Sequence, residues 1–245
     1  MAIKNDKNRP SSPVDRPPSA PVSVILPAAG TGSRFGAPVN KIFQPLAGKD
    51  VFLWTLERFA GRADVCQILL VVSPADAATM ARRHGAVLAA MKVVCVEGGP
   101  TRSDSVRNAL ARLAGQAQLV CVHDAVRPCV RAEFIDAVFA RAACTGAAIL
   151  AEPLAPTIKE VDPAGRILRT VPREALWAAQ TPQVFRRDWL LAAYAAGAQA
   201  TDDAQLVQAL GHDVFVVPGE PGNIKITTPG DLAMAEAILT APPGR

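Results

Sequence analysis

Compact apolar runs alternate along this chain with stretches of helical spacing. Val22–Leu26 is a β-branched run that ends at Pro27. Gln67–Val72 is continuously apolar after its first residue, the pattern of a strand buried on both faces. Lys92–Val96, Leu119–His123 and Ala147–Ala151 read as further strands. Between them, Val51–Ala60, Asp76–His84, Ser103–Leu113 and Ala132–Ala143 carry apolar residues at helical spacing. Helices follow near Asp188–Ala196 and Asp202–Leu210, then short strands at Val214–Val217 and Ile224–Ile226. Thr228-Pro229-Gly230-Asp231 opens a last helix with a cap residue, proline at the first helical position and an acid in the first turn. This alternation predicts an α/β fold: a single doubly wound, Rossmann-like domain with a mostly parallel sheet and helices on both faces. Such sheets hold ligands at the carboxyl ends of their strands.

One segment breaks the rhythm. Pro153–Pro172 contains Pro156, Pro163 and Gly165 among alternating Ile158, Val161, Ile167 and Val171, which predicts a hairpin turning near Asp162–Gly165 and protruding from the sheet as a β-arm. The domain is expected to span residues 22–240, with the arm at about 153–173. Residues 1–21 hold five prolines among Ser, Asn and Lys and read as a disordered leader, and residues 241–245 as a flexible tail.

Half of the 245 residues are hydrophobic and a fifth are charged, the profile of a globular protein. The net charge of +4 is at first a hint of nucleic acid, but Lys4, Lys7, Arg9 and Arg16 against Asp6 and Asp15 place +2 of it in the leader. The remaining +2 is too little for a binder of phosphate backbones, so no nucleic-acid partner is expected. No run approaches the length of a membrane span, and the N-terminus lacks the apolar core of a secretory signal, so no membrane partner is expected. Cys66, Cys95, Cys121, Cys129 and Cys144 are odd in number and lack C-x-x-C spacing, which suits reduced thiols in a cytoplasmic protein. His84, His123 and His212 lie far apart and predict no zinc site.

Chemistry concentrates after the first strand, in Pro27-Ala28-Ala29-Gly30-Thr31-Gly32-Ser33-Arg34-Phe35-Gly36. Small residues here let backbone N–H groups approach a phosphate. The Gly-Lys-Ser/Thr ending of a P-loop is absent, and the dinucleotide fingerprint fails because its third glycine is late and the acid after the second strand, Asp76, lies 46 residues beyond Gly30. The loop instead carries its own cations, Arg34 and Lys41, as a triphosphate site would require.

Leu26-Pro-Ala-Ala-Gly-x-Gly-x-Arg-Phe-Gly with Asn40-Lys41 resembles the nucleotidyltransferase signature and, more narrowly, that of the 2-C-methyl-D-erythritol 4-phosphate cytidylyltransferase family. Gly98-Gly99-x-x-Arg102-x-Asp104-Ser105-Val106, Val122-His123-Asp124-Ala125-Val126-Arg127-Pro128, Thr157-Ile158-Lys159, Arg173, Thr181-Pro-Gln-Val-Phe185, Thr201-Asp-Asp-Ala204 and Asn223-Ile-Lys-Ile-Thr227 follow in order, across about residues 22–240. Two departures stand out. The chain has Asn40-Lys41-Ile42-Phe43 where the family often has Pro-Lys-Gln before an aromatic, and Pro100 where it often has an acid.

The resemblance implies an Mg²⁺-dependent enzyme that transfers CMP from CTP to methylerythritol phosphate in non-mevalonate isoprenoid biosynthesis, releasing pyrophosphate. A cytidylyltransferase for another polyol phosphate, such as ribitol 5-phosphate, and a non-catalytic nucleotide-binding module are the alternatives. The attacking group is a phosphate monoester, largely dianionic at pH 7 because its second pKa is about 6, so no general base is needed. The resemblance assigns Arg34, Lys41 and Lys225 to catalysis. It gives Ala28, Ala29, Gly30, Gly32, Gly99 and Ser105 to the nucleotide, and Asp124 to the metal. Arg127, Thr157 and Arg173 go to the polyol phosphate, the last two from the arm of a partner subunit, so a homodimer with shared sites is expected. Glu220 and Asn223 are both available as a second metal ligand. Alternation along its strand turns His123 away from Asp124, as a core or supporting residue. Thr201-Asp202-Asp203 lacks Asp-x-Asp spacing and reads as a helix start.

Overall fold

The computed structural model describes residues 20–30, 35, 40–197 and 200–241. Arg34, Gly32, most of the leader and most of the tail lie outside them.

The strands are β1 (Val22–Pro27), β2 (Pro45–Leu46), β3 (Lys49–Asp50), β4 (Val65–Val72), β5 (Val93–Glu97), β6 (Leu119–Val122), β7 (Ala147–Pro153), β8 (Ile158–Val161), β9 (Ile167–Val171), β10 (Trp177–Arg186) and β11 (Phe215–Pro218). The helices are α1 (Val51–Glu57), α2 (Pro74–Ala90), α3 (Arg102–Leu110), α4 (Ala132–Thr145), α5 (Arg187–Ala195), α6 (Asp203–Ala209) and α7 (Pro229–Thr240). Seven strands form the main sheet in the order β11-β7-β10-β6-β1-β4-β5. β1 is parallel to both β4 and β6, β4 to β5, and β7 to β11, while β10 runs antiparallel to β6 and β7.

Two apolar layers cover the sheet, and the period-2 geometry of a strand assigns residues to them. Val24 and Leu26 of β1 enter one layer with Phe52 and Leu56 of α1, Met80 of α2 and Ile135 and Phe139 of α4. Ile25 enters the other with Val106 and Leu110 of α3, Leu190 of α5 and Val207 of α6. Burial on both faces is why β1, β4 and β6 read as largely apolar runs, and the polar Ser23 of β1 is buried with its hydroxyl donating to Gln67 Oε1 of β4 at 2.7 Å. Gly146 ends α4 with φ of 89° and its N–H on the Ala142 carbonyl at 2.8 Å, and a Cβ there would come within 2.4 Å of Trp189.

The predicted arm is a two-stranded sheet of its own, β8 with β9, paired from Ile158↔Val171 to Val161↔Ile167. Asp162 Oδ1 accepts from the Ala164 and Arg166 N–H groups and fixes the turn, which Gly165 completes with φ of 84°.

Four expectations are corrected. β10 was not foreseen as a strand, because Pro182 sits inside it. Ile224–Ile226 forms no strand: Ile226 donates to the Val126 carbonyl and buries its side chain, but no ladder follows. α2 continues past His84 to Ala90, since Val87 and Leu88 keep packing on the sheet beyond Gly85. Asp202, not Thr201, caps α6, accepting from Gln205 N–H at 3.0 Å.

Candidate active site

The chain turns from β1 to β4 and β5 on one side and later to β6 on the other, so β1 and β6 flank a topological switch point, where such sheets open a crevice. A cleft of about 350 Å³ lies there, at the carboxyl ends of the strands. Its walls include Ala28, Ala29 and Gly30 after β1, Gly99 to Arg102 and Ser105 from the start of α3, Asp124 and Val126 after β6, and Lys41, Lys225 and Thr227.

Backbone approach builds one wall. The Ala28 N–H donates to the Val71 carbonyl and the Gly98 N–H to the Val72 carbonyl, each at 2.8 Å, drawing the β1 and β5 exits together. The packing there leaves no room for side chains. A Cβ on Gly98 would lie 2.3 Å from the Ala29 Cβ, and one on Gly99 would lie 2.4 Å from the Asp104 Cβ. Ser105 Oγ accepts from the Gly99 N–H at 3.1 Å, and a capping box between Thr101 and Asp104 starts α3 beside it.

Charge builds the opposite wall. Asp124 is buried, and burial alone would raise its carboxyl; Lys225, Arg102 and Arg127 overcome that and carry it far below the usual carboxylate range. Lys225 Nζ stands 2.9 Å from Asp124 Oδ2, Arg127 Nε 3.3 Å from the same oxygen, and Arg102 Nε 3.7 Å from Oδ1. Arg102 is held from behind by Asp203, fully buried, at 2.8 Å. Burial would lower the guanidinium, and Asp203 with Asp124 holds it well above its ordinary value. Tyr194 donates its hydroxyl to the other Asp203 oxygen. Among the described residues, the lining thus sets three cations, Lys41, Arg102 and Lys225, against one carboxylate.

A buried polar layer fixes Asp124 from below. The Asp124 N–H donates to Thr181 Oγ1 at 3.1 Å, and Thr181 Oγ1 also meets His123 Nδ1 at 3.1 Å. His123 Nε2 meets the Arg127 carbonyl at 3.2 Å, and a carbonyl only accepts, so the ring proton sits on Nε2 and Nδ1 accepts from the threonine hydroxyl. Burial pushes the imidazole down to about 4, against the raising effect of the Arg127 carbonyl, so it stays neutral at pH 7. Asn223 Nδ2 donates to Gln180 Oε1 and to the Thr181 carbonyl, closing the layer.

The geometry agrees with three comparisons. A family model described as 2-C-methyl-D-erythritol 4-phosphate cytidylyltransferase matches residues 22–241. The chain belongs to that family. A protein of that name from Rhodopirellula baltica is 45% identical over 234 residues, spanning 90% of this chain and 96% of its own. One from Symbiobacterium thermophilum is 41% identical, spanning 89% and 93%. The crystal structure of the cytidylyltransferase from Thermus thermophilus superposes with a TM-score of 0.75 at 36% identity, covering 90% of this chain and all of that one.

Of the residues that the cytidylyltransferase resemblance singled out, Ala28, Ala29, Gly30, Lys41, Gly99, Ser105, Asp124 and Lys225 line this one cleft. Arg127 is beside it rather than in its lining, because its guanidinium is committed to Asp124 and, at 2.6 Å, to the Asn223 carbonyl. Thr157 and Arg173 are exposed on the arm and outside the lining, with Arg173 donating to the Ala155 carbonyl. Glu220 is drawn off by Arg131 at 3.0 Å, and the Asn223 amide nitrogen is committed to the buried layer.

Arg102 and Asp203 were missed as site residues. Their pairing spans 101 positions, and the sequence marks Arg102 only as an arginine in the glycine-glycine segment. Thr227 was missed as well. Asp231 holds it in the cleft wall, accepting from its N–H at 2.8 Å and its hydroxyl at 2.7 Å.

Proposed function

We propose that this chain transfers CMP from CTP to 2-C-methyl-D-erythritol 4-phosphate, giving 4-diphosphocytidyl-2-C-methyl-D-erythritol and pyrophosphate for isoprenoid biosynthesis. The observation that carries the reading is the cleft itself: a backbone cradle at Ala28–Gly30, Gly99 and Ser105 facing three cations. Two polyanions must meet, and the barrier to their reaction is mostly electrostatic, so positioned charge is the main catalytic requirement.

Lys41 and Arg34 hold the triphosphate. Arg102, kept rigid by Asp203, presents a guanidinium whose fork suits phosphate oxygens. Lys225 leaves its ion pair with Asp124 to follow the charge that develops on the α-phosphate. The cytosine lies against the Ala28–Ala29 and Gly99–Ser105 backbone, where no side chain fits at Gly98 or Gly99. The methylerythritol phosphate attacks as a dianion and needs no proton removed. Arg127 acts on it through Asp124, and Thr157 and Arg173 reach it from the arm of a second copy in a homodimer. Apolar side chains left exposed at Val161, Ile167, Leu168 and Trp177, on and beside the arm, support that assembly.

The cleft fits Mg²⁺. The one carboxylate in its described lining, Asp124, is fully ionised, and Mg²⁺ takes one or two carboxylates with the rest of its ligands from phosphate and water. When bound there it would supply positive charge to the phosphate oxygens. Five free cysteines support placement in the reducing cytoplasm, and no helix among the described residues is long and apolar enough to cross a membrane.

Pyrophosphate release tests the reading, with CTP, UTP, ATP and GTP crossed against methylerythritol phosphate and ribitol phosphate, with Mg²⁺ and with EDTA. Release confined to CTP with methylerythritol phosphate is expected. Preference for another pair, or CTP binding without release, would overturn it.

A further inference from the structure

Lys41 reaches the cleft from a single 3₁₀ turn, Lys41–Phe43, which lies in neither apolar layer's helices and is not part of the sheet. Ile42 and Phe43 anchor the turn in the first apolar layer, but its leading end, which carries Lys41, needs its own support. The residue before it supplies this. Asn40 Nδ2 donates to the Gly30 carbonyl at 3.0 Å and to Asp76 Oδ2 at 2.8 Å, while Asn40 Oδ1 accepts from the Ile42 N–H at 3.3 Å. Both nitrogen partners are acceptors and the oxygen partner is a donor, so all three agree on one amide orientation. Asp76 is itself held: Ser73, the α2 cap, donates its hydroxyl to Asp76 Oδ2 at 2.6 Å and accepts from the Asp76 N–H. One side chain therefore ties the nucleotide cradle, the lysine turn and the start of α2 together. On the far side of the lysine, Phe43 packs against Phe52 and stacks on His84, which is bonded to Asp50 at 2.8 Å.

We propose that Asn40 and Asp76 are positioning residues that set Lys41 against the nucleotide cradle. The inference rests on the cytidylyltransferase reading of the cleft but concerns a clamp outside its reacting groups. Asn40 touches no reacting atom; it acts through Lys41 and Gly30. Asp76 acts through Asn40. The clamp is also this chain's answer to the departure at Asn40-Lys41-Ile42, since a proline at position 40 has no side-chain donor to offer Gly30 or Asp76.

The test uses the full chain in steady-state assays with CTP and methylerythritol phosphate, with CTP affinity measured separately by calorimetry. Wild type and Lys41→Ala are run first, and an inactive wild type sinks the cytidylyltransferase reading without touching the clamp, which calorimetry still reads. Asn40→Ala and Asn40→Asp are each expected to lower kcat/KM for CTP about tenfold, because sub-ångström misplacement of a charged group is costly, with the chain still folded and its melting temperature only modestly lowered by the lost hydrogen bonds. Asn40→Asp combined with Asp76→Asn reverses donor and acceptor and is expected to recover about threefold, the worth of one hydrogen bond. In a Lys41→Ala background, Asn40→Ala is expected to cost clearly less in kcat than it does alone, since only its contact with Gly30 is left to lose. Full activity and affinity in Asn40→Ala, no recovery in the reversed pair, or additive losses with Lys41→Ala would each overturn the proposal.

Discussion

The cleft floor around Asp124 and the β-arm are both rich in charge and both stand where the sheet ends, yet they are built in opposite ways. Around Asp124 each charged group already has its counterpart: Arg102 lies between Asp124 and Asp203, Lys225 and Arg127 complete the ring, and His123 and Thr181 fix the backbone beneath. On the arm, Arg166 and Arg169 pair only along the hairpin, and Val161, Ile167 and Leu168 stay exposed. The floor is a finished set of charges whose residues constrain one another. The arm is an unfinished surface, and a hairpin of two strands has too little core to hold itself rigid. Pre-organised charge is a property of the floor, while the arm leaves apolar surface uncovered in the single chain.

The largest blow to this contrast is aimed at Arg102. Arg102→Met leaves the Asp203 carboxylate buried without its cation and is expected to cost about 3 kcal/mol of stability in urea unfolding, besides slowing turnover. A loss under about 1 kcal/mol, the scale of an exposed ion pair, would mean the floor is not self-constrained. Asp124→Asn is expected to cut kcat by about two orders of magnitude, as loss of a charge contact at a transition state does, and also to lower stability, because Lys225, Arg102 and Arg127 lose their shared carboxylate; stopped-flow or steady-state release of pyrophosphate reads the first and urea unfolding the second.

The neutrality of His123 gives the floor a pH signature. Its folded pKa of about 4 lies below the unfolded 6.5, so as pH falls through that window the unfolded chain takes up a proton that the folded chain does not. Stability from this group is full above 6.5 and declines toward 4. Denaturation at pH 5 against pH 7 is expected to show about 2 kcal/mol less stability, at about 1.4 kcal/mol per pH unit. His123→Gln is expected to flatten the slope, and an unchanged slope would remove His123 as its source. Asp124, whose pKa is depressed, adds its own loss only below the usual carboxylate range.

The smallest expected effect falls on the arm. Arg173→Ala is expected to raise KM for methylerythritol phosphate about tenfold, the value of one charge-assisted contact, and to leave KM for CTP alone. Mixing subunits sharpens it. A Thr157→Ala/Arg173→Ala chain combined with an Asp124→Asn chain is expected to regain activity, because a hybrid dimer would hold one intact site. Mixtures no more active than their parents would mean that each chain serves its own cleft.

What could be read from the sequence followed from burial. β1, β4 and β6 announce themselves because strands covered on both faces are apolar over most of their length. The arm was legible because Pro163 and Gly165 punctuate alternating residues. β10 was not, since a proline inside it and a run of small and polar residues resemble a loop. The short Ile224–Ile226 segment misled in the other direction, because alternation there serves packing of Ile226 under the cleft rather than a ladder. In the site, the glycine cradle, Lys41, Asp124 and Lys225 stand in contiguous motifs. Arg102 with Asp203, and Asn40 with Asp76, join segments far apart in the chain, and no local pattern signals such pairs.

The pairing of β10 with β7 skips from Ala179 to Gln183. The residues left out, Gln180, Thr181 and Pro182, include the two whose side chains reach Asn223, His123 and the Asp124 N–H. The fault is a dislocation in an otherwise regular lattice, and like a dislocation it sits where the material does its work. A sheet mended at this point would be a better sheet and, with Thr181 returned to the ladder, would lose the grip that holds Asp124 in the cleft floor.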